Sequence, residues 1–364
     1  MKRYQEIKEL LTAIAGRMNP GDRLPSRPAL CKQLDTTRTT LDRAVKELIA
    51  EGILTSRNGS GTYAVGLIDG KAPYTENWCV IVPNVMQDIY PSLIRGIENV
   101  AMEHNANVIL CNSDNDPVKQ DRYIRRLLVS GVSGFIIVPA ISGTLEGNYQ
   151  LYRILQDSNI PFVFCNRGID GIHAPVVKSN DFYGGYIATK HLLKHGYRHI
   201  AYVAATSYQT SVERCQGYVS ALLEQGIPVN RHLIILPGND HPEDPYSCME
   251  KLLNGNVPVD AVFCFNDRIG TAVCRAIRDA GKQVSGDIGV IGYDNSSAAS
   301  ACDPPLSSVA YRSMEIGEKA ASILSDLIQG KPPASNFSYY LFQPSIVERD
   351  SCKSRNKEES YETL

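Results

Sequence analysis

The chain has 364 residues, 43% hydrophobic and 21% charged, the make-up of an ordinary globular protein long enough for two or three compact units. Its net charge of −2 excludes an overall polycation, yet residues 1–71 hold 12 Lys and Arg against 8 Asp and Glu while the remainder holds 25 against 31, so only the N-terminal stretch suits a polyanionic partner. No run approaches the roughly 18 apolar residues that span a bilayer and the first residues lack an apolar signal core, so a cytoplasmic protein with no membrane partner is expected.

Residues 4–18 place Ile7, Leu10, Leu11, Ile14, Ala15 and Met18 at helical spacing, and Asn19-Pro20-Gly21-Asp22 ends that helix. Ser26 is positioned to cap a short second helix running to about Leu34, with Pro28 early enough to be tolerated. Thr37 can cap a third helix with Leu41, Ala44, Val45, Leu48 and Ile49 inward. Arg38 then stands at its exposed start, Thr39, Arg43 and Lys46 face outward, and Gly52 stops it. Strands at 53–57 and 62–65 flank a turn of Asn58, Gly59, Ser60 and Gly61. Residues 1–66 thus read as a winged helix-turn-helix.

Such a unit reads duplex DNA by setting the first turn of one helix in the major groove, with hydroxyls on phosphates and cationic forks on guanine edges. Arg27, Thr37, Arg38, Thr39, Thr40 and Arg43 supply these groups. The wing adds Arg57, Asn58, Gly59, Ser60 and Gly61, whose small residues let backbone approach phosphates or the minor groove. The run from Leu24 to Val65 resembles the GntR-family DNA-binding domain in its Leu-Pro-Ser start, its Thr-Arg-Thr-Thr-Leu helix, its Glu-Gly-Ile-Leu exit and its Gly-x-Gly-Thr-Tyr wing. Two positions that usually hold arginine in that family hold Pro28 and Asp42, which implies an operator of different sequence.

A linker is expected at 67–77. Beyond it, short apolar runs alternate with amphipathic helices. Strands are expected at 78–82, 107–111, 134–138 and 161–165, with a restart after 176–180 and further strands near 199–204, 232–236, 260–265 and 288–292. The fold class is α/β: a sensor of two similar lobes with parallel sheets over 78–350. Lobe 1 takes about 78–175 and 307–335, lobe 2 about 176–303 and 336–350, and 351–364 reads as a disordered tail.

In such sheets ligands sit beyond the carboxyl ends of the strands. The loops there carry Asp88 and Tyr90, Asn115 and Asp116, Asn166 and Arg167, then Tyr208 and Arg214, Asn266 and Asp267, Asp294 and Asn295. A sugar needs bidentate polar groups for its hydroxyls and an apolar face for its ring. The expected effector-binding set is Asp88, Tyr90, Asn115, Arg167, Tyr208, Arg214, Asn266 and Asp294. Plainer roles stand beside it: Asp267 as a helix cap, Asp116 as a turn former, Arg95 and Glu98 as a helix-surface pair.

Residues 78–350 resemble the LacI/GalR effector domain, which is similar to periplasmic sugar-binding proteins. The matching runs are Tyr90-Pro91-Ser92-Leu93-Ile94-Arg95-Gly96-Ile97-Glu98, Ser133-Gly134-Phe135-Ile136-Ile137-Val138-Pro139, Arg214-Cys215-Gln216-Gly217-Tyr218, Phe265-Asn266-Asp267 and Val290-Ile291-Gly292-Tyr293-Asp294-Asn295. The resemblance implies that Arg214 and Asp294 contact the sugar. A GntR-type head on a LacI-type sensor is similar to the arabinose-responsive repressors, which implies a repressor of carbohydrate-utilisation genes released from operator DNA by a monosaccharide, L-arabinose first. A sensor of another sugar, an activator, and a carbohydrate-binding enzyme remain as alternatives. A homodimer is expected, since palindromic operators match a two-fold pair.

No Gly-x-Ser-x-Gly elbow, P-loop or His-Glu-x-x-His is present, so no catalytic residues and no cofactor are expected. The ten cysteines form no Cys-x-x-Cys pattern and read as small core hydrophobes. His191, His195 and His199 straddle a helix end and suggest a surface role, so no metal is expected.

Overall fold

A computed structural model describes residues 3–57, 60–65, 76–141, 144–204, 208–236, 244–331 and 339–355. The chain begins with α1 (Arg3–Ala15), α2 (Arg27–Gln33), α3 (Arg38–Ala50), β1 (Leu54–Arg57) and β2 (Gly61–Ala64). Ser26 caps α2 by accepting the Ala29 amide, and Pro28 lies in the first turn, where a missing N–H leaves no bond unmade. Thr37 caps α3 by accepting the Thr40 amide. Leu41, Ala44, Val45 and Leu48 of α3 close a small core with Ile7, Leu11 and Ala15 of α1 and with Leu30. Leu10 departs from expectation: it is 49% exposed, because the row Ile7, Leu11, Ala15 already fills the contact with α3. β1 and β2 pair antiparallel, Leu54 opposite Ala64. Asn58, Gly59 and residues 66–75, most of the expected linker, lie outside the described residues.

Two α/β lobes follow. In chain order they contain β3 (Glu76–Val82), α4 (Ile89–Glu103), β4 (Ala106–Asn112), α5 (Pro117–Val129), β5 (Gly134–Ile137), α6 (Leu145–Asp157), β6 (Phe162–Cys165) and β7 (Val176–Ser179). Next come α7 (Asp181–Lys194), β8 (Ile200–Val203), α8 (Gln209–Glu224), β9 (Ile234–Ile235), α9 (Pro245–Asn254), β10 (Ala261–Cys264), α10 (Asp267–Asp279), β11 (Gly289–Asp294) and α11 (Ser297–Ala301). The last elements are β12 (Ser307–Ala310), α12 (Ser313–Ile328), β13 (Tyr339–Phe342) and β14 (Ser345–Val347).

One sheet has the order β13-β7-β6-β5-β3-β4 and the other β14-β12-β11-β10-β8-β9, and every pairing is parallel except β14 with β12. The inner strands are buried on both faces, as their unbroken apolar runs require. The expected α/β class and parallel sheets are present.

The lobe assignment needs correction in three places. The alternation of elements predicts that β7 opens the second lobe, but it hydrogen-bonds β6 and β13 and so completes the first sheet. Residues 307–310 are expected to return to the first lobe, but as β12 they pair with β11 in the second, and only α12 crosses back, onto β5, β6 and α4. Residues 339–342 are expected in the second lobe, but as β13 they edge the first sheet, while β14 edges the second. The chain therefore passes between lobes three times, at Asn180, at Tyr311–Arg312 and at Gln343–Pro344.

Each lobe presses two helices together at reciprocal glycines. A Cβ on Gly96 would lie 2.2 Å from the Met314 carbonyl and one on Gly317 2.1 Å from that of Leu93, so α4 and α12 touch backbone to backbone. Gly185 and Gly217 do the same for α7 and α8.

The expected tail is ordered at its start. Ser351 and Cys352 are fully buried; the Ser351 hydroxyl accepts the Ser307 amide at 2.8 Å and donates to the Val290 carbonyl, joining the starts of β12 and β11. Residues 356–364 lie outside the described residues. All ten cysteines are free thiols, eight of them buried. Among the described residues no helix is long and apolar enough to cross a membrane.

Candidate nucleic-acid interface and ligand cleft

The proposed DNA-facing residues fall into two groups. Arg38, with 81% of its side chain exposed, and Thr39, also exposed, stand out at the start of α3. Arg57 is exposed at the wing, its guanidinium 4.7 Å from the Tyr63 ring centre, and the Ser60 hydroxyl bonds to that of Tyr63. Gly61 has φ +132 and lies under Arg23, whose Nε would be 2.8 Å from a Cβ there. The sequence gives no sign of Arg23's place. It precedes the helix that looks relevant, and only the hairpin's fold-back brings it to the wing.

The others are engaged. Arg27 donates from Nε to Asp42 at 2.9 Å and from Nη2 to the Thr62 hydroxyl at 3.1 Å, tying α2, α3 and the wing together. The hydroxyls of Thr37 and Thr40 bond each other at 2.9 Å. Arg43 sits roughly 140° around α3 from Arg38 and stacks 4.0 Å over the Tyr4 ring of α1, with Glu47 3.5 Å away. Asp42 also lies 3.7 Å from Arg38, so one carboxylate restrains two arginines at the centre of this surface.

The second site is a cavity of about 550 Å³ at the carboxyl ends of both sheets. All eight expected effector-binding residues, Asp88, Tyr90, Asn115, Arg167, Tyr208, Arg214, Asn266 and Asp294, line it. Loops after β3, β4 and β6 and the first turn of α4 bring the first four, and the loops after β8 and β10, the first half of α8 and the end of β11 bring the rest.

Arg214 is the fixed point of the cavity. It is 3% exposed; its Nε donates to Asp181 Oδ1 at 2.8 Å, Nη2 reaches the same oxygen at 2.8 Å, and Nη1 donates to the Phe265 carbonyl. Its guanidinium lies 3.4 Å from the Tyr293 ring centre and 4.5 Å from that of Phe265. Asp181 is fully buried with Lys178 3.5 Å from its other oxygen, and burial raises its pKa against the pull of both cations. Asp294 Oδ1 is 4.0 Å from Arg214 Nη1, and burial pushes this carboxyl up to about 8 despite that neighbour.

Arg167 is also clamped, donating from Nε to the Pro139 carbonyl at 2.7 Å and from Nη2 to Asn115 Oδ1 at 3.0 Å. Asn115 then donates to the Tyr208 hydroxyl at 2.6 Å, and Arg167 lies 4.6 Å from the Tyr208 ring centre. That chain crosses the cleft from one lobe to the other. Tyr90 is buried, which raises its hydroxyl to about 12, so it stays a donor at physiological pH.

The capping role expected of Asp267 falls to its neighbour. The cap of α10 is Asn266, whose Oδ1 accepts the Ile269 amide at 3.0 Å, leaving only its NH₂ for the cavity. Asp267 instead accepts from the Ser308 hydroxyl at 2.6 Å and the Ser296 amide at 2.7 Å, pinning the loop after β11 to β12. Asp116 caps α5 through the Val118 amide, and Arg95 pairs with Glu98 at 3.3 Å on the helix surface. Asn295 is occupied by Arg349 at 2.6 Å. The roles of Asp181, Phe265 and Tyr293 do not show in the sequence, because a buried carboxylate and two core aromatics carry no local mark of orienting an arginine.

Known proteins match the same two parts. Residues 3–64 match the bacterial regulatory proteins of the gntR family, and residues 189–352 match the periplasmic-binding-protein-like domain. An arabinose metabolism transcriptional repressor of Geobacillus stearothermophilus is 25% identical over 358 residues, covering 97% of this chain and 98% of that protein. The HTH-type transcriptional repressor PurR of Histophilus somni is 30% identical over 284 residues, covering 78% of this chain and 83% of that protein. A LacI-family transcriptional regulator of Enterococcus faecium, solved with bound ribose, superposes with a TM-score of 0.64 at 29% identity, covering 77% of this chain and 99% of the other. The chain belongs to the family of bacterial DNA-binding transcriptional repressors, here with a gntR-family head joined to a LacI/GalR-type, periplasmic-binding-protein-like domain.

Proposed function

We propose that the protein represses carbohydrate-utilisation genes and leaves its operator when a monosaccharide, L-arabinose first, enters the cleft. The observation that carries this is the convergence of eight polar and aromatic residues from both lobes on one cavity, with Arg167 and Arg214 among them already held in place. Preset donors lose little freedom on binding, which favours a small polyhydroxylated ligand. The match to an arabinose metabolism repressor runs through the head as well as the sensor, which makes that sugar the first choice.

Two chains in the cytoplasm hold their heads at operator spacing, with Arg38, Thr39, Arg57 and Arg23 meeting the duplex. Sugar bound between Arg214 and Asp294 on one side and Asn115, Arg167 and Tyr90 on the other replaces the Asn115–Tyr208 bond and resets the lobes about their three crossings. A coupling of roughly 1–3 kcal/mol changes operator affinity about 5–150-fold. The test is a melting-temperature screen of the full chain against pentoses, hexoses and their phosphates, followed by operator binding with each hit. L-arabinose should raise the melting temperature and weaken operator binding. A hit with a different sugar replaces arabinose, and saturating ligand with unchanged operator affinity overturns the coupling.

A further inference from the structure

Among the described residues, three potential metal-ligating side chains gather far from the cleft: His191, His195 and Cys352 each offer a donor atom within 4.8 Å of the others. His191 lies in the last turn of α7 and His195 is the residue that ends it, four positions on, so both rings face the same way. Cys352 comes from the segment after β14, which packs against β11 and β12 and meets His195 through the Cys352 carbonyl. We infer that His191, His195 and Cys352 form a binding site for a divalent ion of the zinc class, with Glu348 or water as fourth ligand.

The hydrogen bonding favours ligation. His195 Nδ1 lies 2.7 Å from the Cys352 carbonyl oxygen. A carbonyl only accepts, so Nδ1 carries the proton and Nε2 keeps its lone pair. A histidine whose far nitrogen donates to backbone is the usual outer support of a metal ligand. His195 Nε2 has Glu348 Oε1 3.6 Å away, in reach of a shared ion. His191 Nε2 is buried with no hydrogen-bond partner, an orphan that a bound ion would satisfy. The ring centres of the two histidines are 4.1 Å apart. Donor separations in a filled tetrahedral site are about 3.3–3.7 Å, from bond lengths of about 2.0–2.3 Å, so side chains that already bring donor atoms within 4.8 Å of one another lie near ligating distance. Two imidazoles, one thiolate and a carboxylate are a borderline-soft set that suits zinc, cobalt or nickel and rejects magnesium and calcium. Coordination releases the Cys352 proton to solvent, and the ion fastens the final strand segment to α7, whose other end carries Asp181.

The test is titration of the purified full chain with cobalt(II) chloride, followed by zinc(II) chloride. The expected result is one equivalent of cobalt with a sulfur-to-cobalt charge-transfer band and tetrahedral visible bands, all displaced by zinc. Cys352→Ser abolishes the charge-transfer band. Because Cys352 is fully buried and its serine variant could fold poorly, His191→Gln is the second probe; its Nε2 makes no bond to lose, and affinity should fall at least tenfold. Cys31→Ser and Cys302→Ser, at the two partly exposed thiols, leave the band intact. Absence of the band in the wild type, its persistence in His191→Gln at unchanged affinity, or its loss in Cys302→Ser overturns the assignment.

Discussion

Removing Arg214 separates what holds the cleft together from what binds in it. Asp181 has no exposed side-chain surface, and both Arg214 contacts at 2.8 Å fall on a single oxygen, Oδ1. Arg214→Met keeps much of the volume between Phe265 and Tyr293 but leaves that oxygen buried without its donors. Breaking one partner of such a pair costs about 3–5 kcal/mol, because the remaining charge is uncompensated. Adding Asp181→Asn removes the stranded charge, and Lys178 keeps Glu213 at 2.5 Å. The double variant should thus be more stable than Arg214→Met alone despite carrying one more change. Urea unfolding followed by circular dichroism reads the stabilities, and calorimetry with the sugar found by screening reads the cleft. Recovered stability with no sugar binding is expected. A double variant as damaged as the two single losses summed would refute the coupling, and one that still bound sugar would remove Arg214 from the ligand site.

Further outcomes follow at the cleft and at the head. Burial holds the Asp294 carboxyl at about 8, so the unliganded fold keeps a proton that the unfolded chain gives up in the ordinary carboxylate range; this contribution to stability is full at acid pH and lost as pH rises through about 8. Sugar hydroxyls donate best to the ionised form, so affinity should climb between about pH 5 and 8, by at most about tenfold per unit, and level off above; a pH series by calorimetry checks this, and Asp294→Asn should flatten it. At the head, Arg38→Ala should weaken operator binding and lower the salt slope by about 1 while sugar affinity stays unchanged, whereas Arg43→Ala, removing a side chain stacked on Tyr4, should act mainly on stability. Equal loss of operator affinity in both variants would show that Arg43 turns from Tyr4 to the duplex.

The head and the strand–helix alternation are legible in the amino-acid sequence because their signals are local: Ser26 and Thr37 mark helix starts, and runs such as Ala261-Val262-Phe263-Cys264 mark buried parallel strands. Sheet membership is not local. Nothing within Val176–Ser179 says that its neighbours are β6 and β13 rather than β8, and the short strands after residue 306 carry no periodicity to separate one sheet from the other. The cleft is legible as a set of loop positions, since topology sends every carboxyl end to one rim. The division of labour within it is not: whether Asn266 or Asp267 caps α10 depends on Ser308, which is 41 residues from Asp267, and the engagement of Arg27 depends on Thr62 across the head.

The threefold passage of the chain between the halves of the sensor also governs how such a protein can change. Neither half is an uninterrupted stretch: a fragment ending at Ala310 would lack α12 and β13 from the first half and β14 from the second. One half cannot be excised, expressed alone or traded for a relative's by a single pair of cuts. A new ligand preference must therefore arrive by substitutions in the loops at the rim, while the interlaced body beneath is inherited whole.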